Sequence, residues 1–438
     1  MFLRFCFLFL IFCATPVWAA LKIDVSGAKT APIPVALPDF AVQDEGLKDI
    51  AKQMTAVVKA DLESSGLFRV IDSDAYLQKF FSLEDKPRFS DWQVLNAQGL
   101  IQGEVTQKPN GDLKISFLLW DIYGTNQLLP QRDVAANKAK WRKLSHIVSD
   151  TVYERMTGDT GYFDSKIVFV SESGSVKKRK RRLAFMDLDG ANLQFLTDGQ
   201  SMVMTPRFAP KDKKITYLSY QSGEPKVYIM NLETLKSELI GQFKGMSFAP
   251  RFSPDGKKLI MSLSERGNTE IYLYDLSTGQ QKKLTNHPAI DTSPSFSADG
   301  KSIVFNSDRS GKQQLYVMDA NGENVRRISY GEGSYATPVW SPRGDYIAFT
   351  KIKDNTFYIG LMRPDGSAER LIAQGFLVEG PTWSPNGRFI AFGRQEKSSS
   401  WNKNGNPHIY SIDVTGYNER LLKTPDEASD PAWSPLLH

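Results

Sequence analysis

Cysteine is missing from all but the first stretch of this chain. Cys6 and Cys13 are the only two among 438 residues, and both lie in a leader-like segment. Past that segment there is no disulfide, no thiolate nucleophile and no cysteine-ligated metal. Histidine is nearly as scarce. His146, His287, His408 and His438 stand apart, with no i, i+4 pair and no HExxH, so neither a metal site nor a cofactor is expected. No Gly-x-Ser-x-Gly elbow and no Gly-x-x-x-x-Gly-Lys phosphate loop occurs. Acidic groups such as Asp291 and Glu379 remain as acid–base candidates, but nothing in the sequence brings them together. A non-enzymatic binding protein is the resulting reading. Net charge is also small, +5 and evenly spread, which argues against nucleic acid as a partner. The exception is Lys177-Lys178-Arg179-Lys180-Arg181-Arg182. No aromatics interleave with it, so a solvated loop between strands is favoured over a site for lipid headgroups or an acidic partner.

What is present begins with the leader. Arg4 precedes the apolar stretch from Phe5 to Phe12, and Thr15-Pro16-Val17-Trp18-Ala19 offers a small-residue cleavage site after Ala19. The bulky Phe12 argues against lipid attachment at Cys13. No later apolar run reaches the roughly 18 residues of a spanning helix. Export without disulfides fits a bacterial periplasm.

The strongest signal is a repeat. Pro-x-aromatic-Ser-Pro-x-Gly recurs with small changes, its aromatics at Phe208, Phe252, Phe296, Trp340, Trp383 and Trp433. The spacings are 44, 44, 44, 43 and 50 residues, the range of four-stranded propeller blades. After each phrase comes an alternating strand, with pairs such as Leu259/Met261 and Ile303/Phe305 on one face. A further such strand starts at Ile167 with no phrase before it, and the phrase at Pro431–Pro435 has no strand after it. The predicted solution is a ring of six blades in which the last strand completes the first blade and leaves no open edge. The repeated residues are read as structural, and function is placed on what differs between blades.

Residues 20 to 160 lack the repeat. Leu47, Ile50, Met54, Val57, Val58 and Leu62 fall at helical spacing, with Gly66 as a stop. A second helix is expected from about Ala136 to Met156, ended by Gly158. Strands are expected at Pro34–Phe40, Phe68–Ile71, Gly99–Val105 and Leu113–Ile122. The domain reading is a leader over 1–19, a small α/β domain over 20–160 and an all-β propeller over 161–438. Leu21, Ile23 and Val25 alternate ahead of a flexible stretch, which suits either an edge strand or a tail that pairs with a partner's sheet.

Several of these features together resemble one family. They are Leu21-Lys22-Ile23-Asp24-Val25, Asp61-Leu62-x-x-Ser65-Gly66-Leu67-Phe68, Gly103-Glu104-Val105, Met156-Thr157-Gly158-x-x-Gly161-x-Phe163, and the propeller phrases through Pro431-Ala432-Trp433-Ser434-Pro435. Over nearly the whole chain past the leader the sequence is similar to the TolB family, the periplasmic component of the bacterial Tol–Pal system. The resemblance implies an adaptor that binds the lipoprotein Pal around one mouth of the propeller and the C-terminal domain of TolA through its N-terminal tail. Outer-membrane integrity and cell division would depend on it. The Pal surface would lie on inter-blade loops just before each inner strand: Met204 and Thr205; Met246, Ser247, Phe248 and Ala249; Asp291, Thr292 and Ser293; Tyr335, Ala336 and Thr337; Glu379 and Gly380; Ser429 and Asp430. The TolA segment would be Ala20, Leu21, Lys22, Ile23, Asp24, Val25, Ser26, Gly27, Ala28, Lys29, Thr30 and Ala31. A monomer is expected, reaching membranes only through its partners. The basic run and an insertion over 398–407 depart from the family pattern. On the residues alone, a carbohydrate-binding or hydrolysing propeller and a scaffold for an unrelated envelope complex stay open.

Overall fold

The computed structural model describes residues 31–174, 178–241, 243, 246–397 and 405–436. The leader, tail residues 20–30, Lys177 and residues 398–404 of the insertion lie outside them, and for Met246, Ser247 and Ala249 only the backbone is described. An N-terminal α/β domain is followed by a six-bladed β-propeller. Among the described residues no helix is long and apolar enough to cross a membrane.

In the first domain β1 (Ile33–Ala36), β2 (Ala41–Val42), β3 (Phe68–Val70), β4 (Gly99–Gln107), β5 (Leu113–Asp121) and β6 (Asn126–Ala136) form one sheet. Its order is β3-β1-β4-β5-β6, with β2 also against β4. Helices α1 (Lys48–Ser64) and α3 (Trp141–Thr157) pack on each other, and the short α2 (Phe89–Val94) lies between β3 and β4 in sequence. The helical spacing is realised: α1 buries Met54, Val58 and Leu62, and α3 buries Leu144, Val148 and Val152. Helix α3 starts later than its apolar spacing suggests. Ala136 pairs with Leu113 and Val134 with Ile115, so the chain is committed to β6, and one 3-10 turn intervenes before Trp141. Gly158 ends α3 at φ +78°, where its N–H donates to the Glu154 carbonyl.

Each blade is a four-stranded antiparallel sheet, and the six inner strands neighbour one another around the axis. Closure occurs as the repeat arithmetic requires. Strand Glu427–Trp433 joins blade 1 beside Lys166–Ser173, pairing Ala432 with Val168 and Trp433 with Ile167. The phrase makes a turn: in blade 3 the Lys258 N–H donates to Ser253 Oγ at 3.0 Å, and Gly256 takes φ +76°, which a side chain would resist. Second strands fill the space between blades; Ile303, Val304 and Phe305 are fully buried. Outer strands such as Gln281–Lys283 and Arg326–Arg327 are short and charged, which blunts edge pairing.

The two domains share one hydrophobic core. Tyr153 of α3, Tyr162 and Phe163 of the linker, and Phe389 and Trp433 of the propeller belong to it. Tyr162 packs 4.8 Å from Phe389 and 6.1 Å from Trp433, ring centre to ring centre. The linker is fixed by Asp150, whose carboxylate accepts the N–H groups of Phe163 and Asp164 at 2.7 and 3.1 Å. A Cβ on Gly161 would come within 2.4 Å of Asp150, so the glycine in the linker motif answers to a close approach.

Candidate functional site

The linker contacts one end of the ring. Asp159 pairs with Arg343 at 3.0 Å, the Thr160 carbonyl accepts from Asn386 at 2.8 Å, and Trp433 Nε1 donates to Ser165 Oγ at 2.8 Å. All three propeller partners stand at or just past the C-terminal ends of inner strands. The N-terminal ends of those strands therefore form the mouth on the far side from the first domain.

The residues that the resemblance assigns to loops lie within the inner strands. Met204 and Thr205 are in Val203–Phe208; Met246, Ser247, Phe248 and Ala249 in Met246–Phe252; and Asp291, Thr292 and Ser293 in Asp291–Phe296. Tyr335, Ala336 and Thr337 are in Ser334–Trp340, Glu379 and Gly380 in Leu377–Trp383, and Ser429 and Asp430 in Glu427–Trp433. The physical reason is a bulge. In every blade the pairing slips between this segment and the rest of the strand, as between Met204 and Arg207. The phrase proline sits in the slip, where its missing N–H leaves no gap in the ladder. The residue before it takes a left-handed backbone: Thr205 at φ +46°, Ser293 at +56°, Thr337 at +45°, Gly380 at +65° and Asp430 at +50°. For a threonine this conformation is strained by about 1–3 kcal/mol, and such strain gathers where function fixes geometry.

Most of these side chains line the mouth half-exposed, but two do not face a partner. Asp291 is fully buried and held by Arg309 at 2.7 Å. Tyr335 is fully buried too, its hydroxyl donating to Glu369 and accepting from Lys351 at 2.7 Å. Asp291 and Glu379 therefore form no acid–base pair: the first is tied to Arg309, and the second lies by Asp430. The surrounding protein and the Asp430 charge raise the Glu379 carboxyl above its usual range. A raised carboxyl opposes folding once pH climbs past it. The Glu379 side chain stays exposed to water, which weakens the effect, so Glu379→Gln is expected to raise Tm only slightly at pH 7 and to leave it unchanged at about pH 3.5, where both states are protonated. Thermal melts at the two pH values check this.

Beside the mouth a cavity of about 210 Å³ is lined by Glu172, Arg179, Arg181, Met204, Glu379 and Asp430, among others. It corrects the reading of the basic run. Lys180, Arg181 and Arg182 belong to strand Lys180–Asp187 rather than to a solvated loop. Arg179 pairs with Glu427 and, at 3.1 Å, with the buried Glu172; Arg181 reaches Glu172 at 3.3 Å. Ser429 also donates to Glu172, at 2.8 Å. Arg179 and Arg181 are bound into the closing blade by these acidic partners.

Sequence reasoning missed what the variable second position of the phrase does. Arg207, Arg251, Ser295, Val339, Thr382 and Ala432 occupy it, and all six line a cavity of about 350 Å³ at the end of the channel nearer the first domain. The six aromatics of the phrase share that lining. Two of the short side chains lace neighbouring blades: Ser295 Oγ accepts the Trp340 N–H at 3.2 Å, and Thr382 Oγ1 accepts that of Trp433 at 3.1 Å.

Among the described residues, the domain junction holds one group of metal-type ligands. Atoms of His146, Asp187 and Asp189 lie within 4.8 Å of one another. Protein cations already serve them. Arg142 pairs with Asp189, Lys166 with Asp187, and His146 Nδ1 lies 2.8 Å from Asp61. Burial alone would lower the His146 pKa, but the charge and hydrogen bond of Asp61, with Asp189 and Asp187 behind it, raise it to about 9. The ring is a cation of the junction at neutral pH.

Comparison with known proteins agrees with this architecture. A model described as the TolB amino-terminal domain matches residues 21–128, and one described as the TolB beta propeller domain matches residues 153–437. A Tol-Pal system protein TolB from Paramagnetospirillum magneticum is 56% identical over 422 residues, 96% of this chain and 94% of that one. The crystal structure of TolB from Acinetobacter baumannii superposes with a TM-score of 0.81 at 27% identity, covering 94% of this chain and 98% of that one. A chain of a nidogen/laminin complex, at 10% identity and a TM-score of 0.50 over 63% of this chain and all of that one, shares the fold alone. Two domain models matched in order, and a relative more than half identical along nearly its full length, establish that the chain belongs to the TolB family.

Proposed function

We propose that this chain is a periplasmic adaptor of the Tol–Pal system, exported by its leader and divided at residues 160 and 161. It binds Pal at the far mouth of the propeller and TolA through residues 20–31, and so supports outer-membrane integrity and cell division without catalysis of its own. The 56% identity to a Tol-Pal system protein over almost the whole chain carries this reading. The mouth suits it physically. A ring of strands fixes half-exposed hydroxyl and backbone groups, so a partner orders little on binding.

Met204→Arg, at the rim of the mouth, is expected to weaken binding of soluble Pal at least tenfold and to leave TolA binding intact. Deletion of residues 20–31 is expected to abolish TolA binding. If the tail and the mouth are coupled, the deletion also changes Pal affinity, because coupling is reciprocal. Titration calorimetry with the two purified partners measures all three. Binding of neither partner would sink the adaptor reading, and an unchanged Pal affinity after deletion would sink the coupling alone.

A further inference from the structure

Among the described residues, two cations of the channel have no carboxylate at ion-pair distance. Arg207 and Arg251 project from neighbouring blades 2 and 3 into the cavity of about 350 Å³. At the same position the other four blades carry Ser295, Val339, Thr382 and Ala432, all short, so the lumen facing the pair is open. Among the described residues neither guanidinium has a carboxylate at ion-pair distance. Arg207 donates to its neighbour, the Pro206 carbonyl, at 2.6 Å, and Asp430 lends it some electrostatic support. For Arg251 the surroundings work only against the charge. Burial and the adjacent Arg207 push its pKa well below that of an ordinary guanidinium. Protein encloses both groups, although water in the lumen still reaches them.

Two enclosed like charges without a counterion destabilise a fold, and a sequence gains nothing from them unless a ligand completes the set. A planar guanidinium matches a carboxylate with two parallel hydrogen bonds, and it sheds water more readily than an ammonium. The volume exceeds what one small ion fills, and its walls include Phe208, Phe252, Trp340 and Trp383. A carboxylate on an apolar-flanked chain fits such walls; a bare inorganic anion leaves them wet. The rim is open as well, with Ala298 and Pro342 exposed.

We propose that Arg207 and Arg251 form a carboxylate-binding site inside the propeller channel. Its occupant is an acidic side chain of an extended peptide that enters through the end nearer the first domain. This site is separate from the far mouth, so two peptide-binding surfaces lie on one axis.

The test uses the protein from residue 20 onward, immobilised, and two pools of capped pentapeptides. One pool has glutamate fixed at the centre and the other glutamine, with the remaining positions random. The glutamate pool is expected to be retained at least tenfold more strongly. Arg251→Ser and Arg207→Ser install the residue that blade 4 carries as Ser295, so the fold tolerates them. Each is expected to lower retention of the glutamate pool at least tenfold without affecting the glutamine pool. Arg251→Ser is further expected to match or exceed the parent in Tm, since it removes a repulsion. Equal retention of the pools overturns the proposal, as does unaltered retention by both variants. So does displacement by millimolar sulfate with no difference between the pools, which marks a small-anion site. Pal binding, measured separately at the far mouth, is unaffected by any of these outcomes.

Discussion

His146→Ala is expected to destabilise the protein by about 3–5 kcal/mol, because it leaves the buried Asp61 without its cationic partner. Asp61 is only 4% exposed, and Ser149 Oγ at 2.8 Å becomes its remaining hydrogen-bond donor among the described residues. The same histidine dictates a pH dependence. Its folded pKa of about 9 lies above the value near 6.5 of a free imidazole. A group raised in this way stabilises fully below about pH 6.5, and the contribution disappears as pH rises through 9. The difference corresponds to roughly 3 kcal/mol. Urea melts at pH 6.5 and 9.5 should show the parent losing stability while the alanine variant, already weaker, changes much less. Parallel pH profiles for the two proteins would refute the assignment. Since His146 stands on α3 and Asp189 in blade 1, with Nε2 and Oδ2 3.8 Å apart, the loss is expected to loosen the domain junction first.

The second large effect is expected at the closing strand. Trp433 is 5% exposed and joins three elements: its backbone N–H reaches Thr382 in blade 6, its indole reaches Ser165 in the linker, and its ring meets Tyr162. Trp433→Ala should cost about 3–5 kcal/mol, as truncation of a buried aromatic does. Removing residues 427–436 should do more. It strips Lys166–Ser173 of its inner neighbour and leaves a long apolar edge, so loss of cooperative unfolding and association through that edge are expected. Circular dichroism melts and size-exclusion chromatography read the two outcomes. A cooperative melt at the parent Tm after the deletion would show that closure contributes nothing.

The blades and their closure were legible because the repeat is local: each phrase carries its own turn, and spacing alone counts the blades. Helices α1 and α3 were legible from apolar periodicity. Strand β6 was not, because it runs mostly exposed and gives no alternation. Helix α2 was not either; its six residues bury only Trp92, too little for a period. The basic run misled because Glu172 faces it only through the hairpin register and Glu427 only when the ring closes. The segments assigned to the mouth read as loops but belong to strands, since a bulge is a register slip between two strands and leaves no mark in one. Arg207 and Arg251 stood in plain view within the phrase. Spacing showed that they were equivalent to Ser295 and Thr382, but only the ring shows that this position faces the lumen.

Closure also orders events in time. Trp433 and Ser165 meet across 268 positions of sequence. Blades 2 to 6 are assembled from contiguous stretches and can form as the chain emerges N-terminus first. Blade 1 must wait for the final strand, and such long-range pairing is slow. Until then the chain is a string of nearly finished sheets with an unmatched edge at Lys166–Ser173. Docking of the final strand therefore closes the ring and, in the same step, adds the Trp433 contacts with Ser165 and Tyr162 to the domain junction.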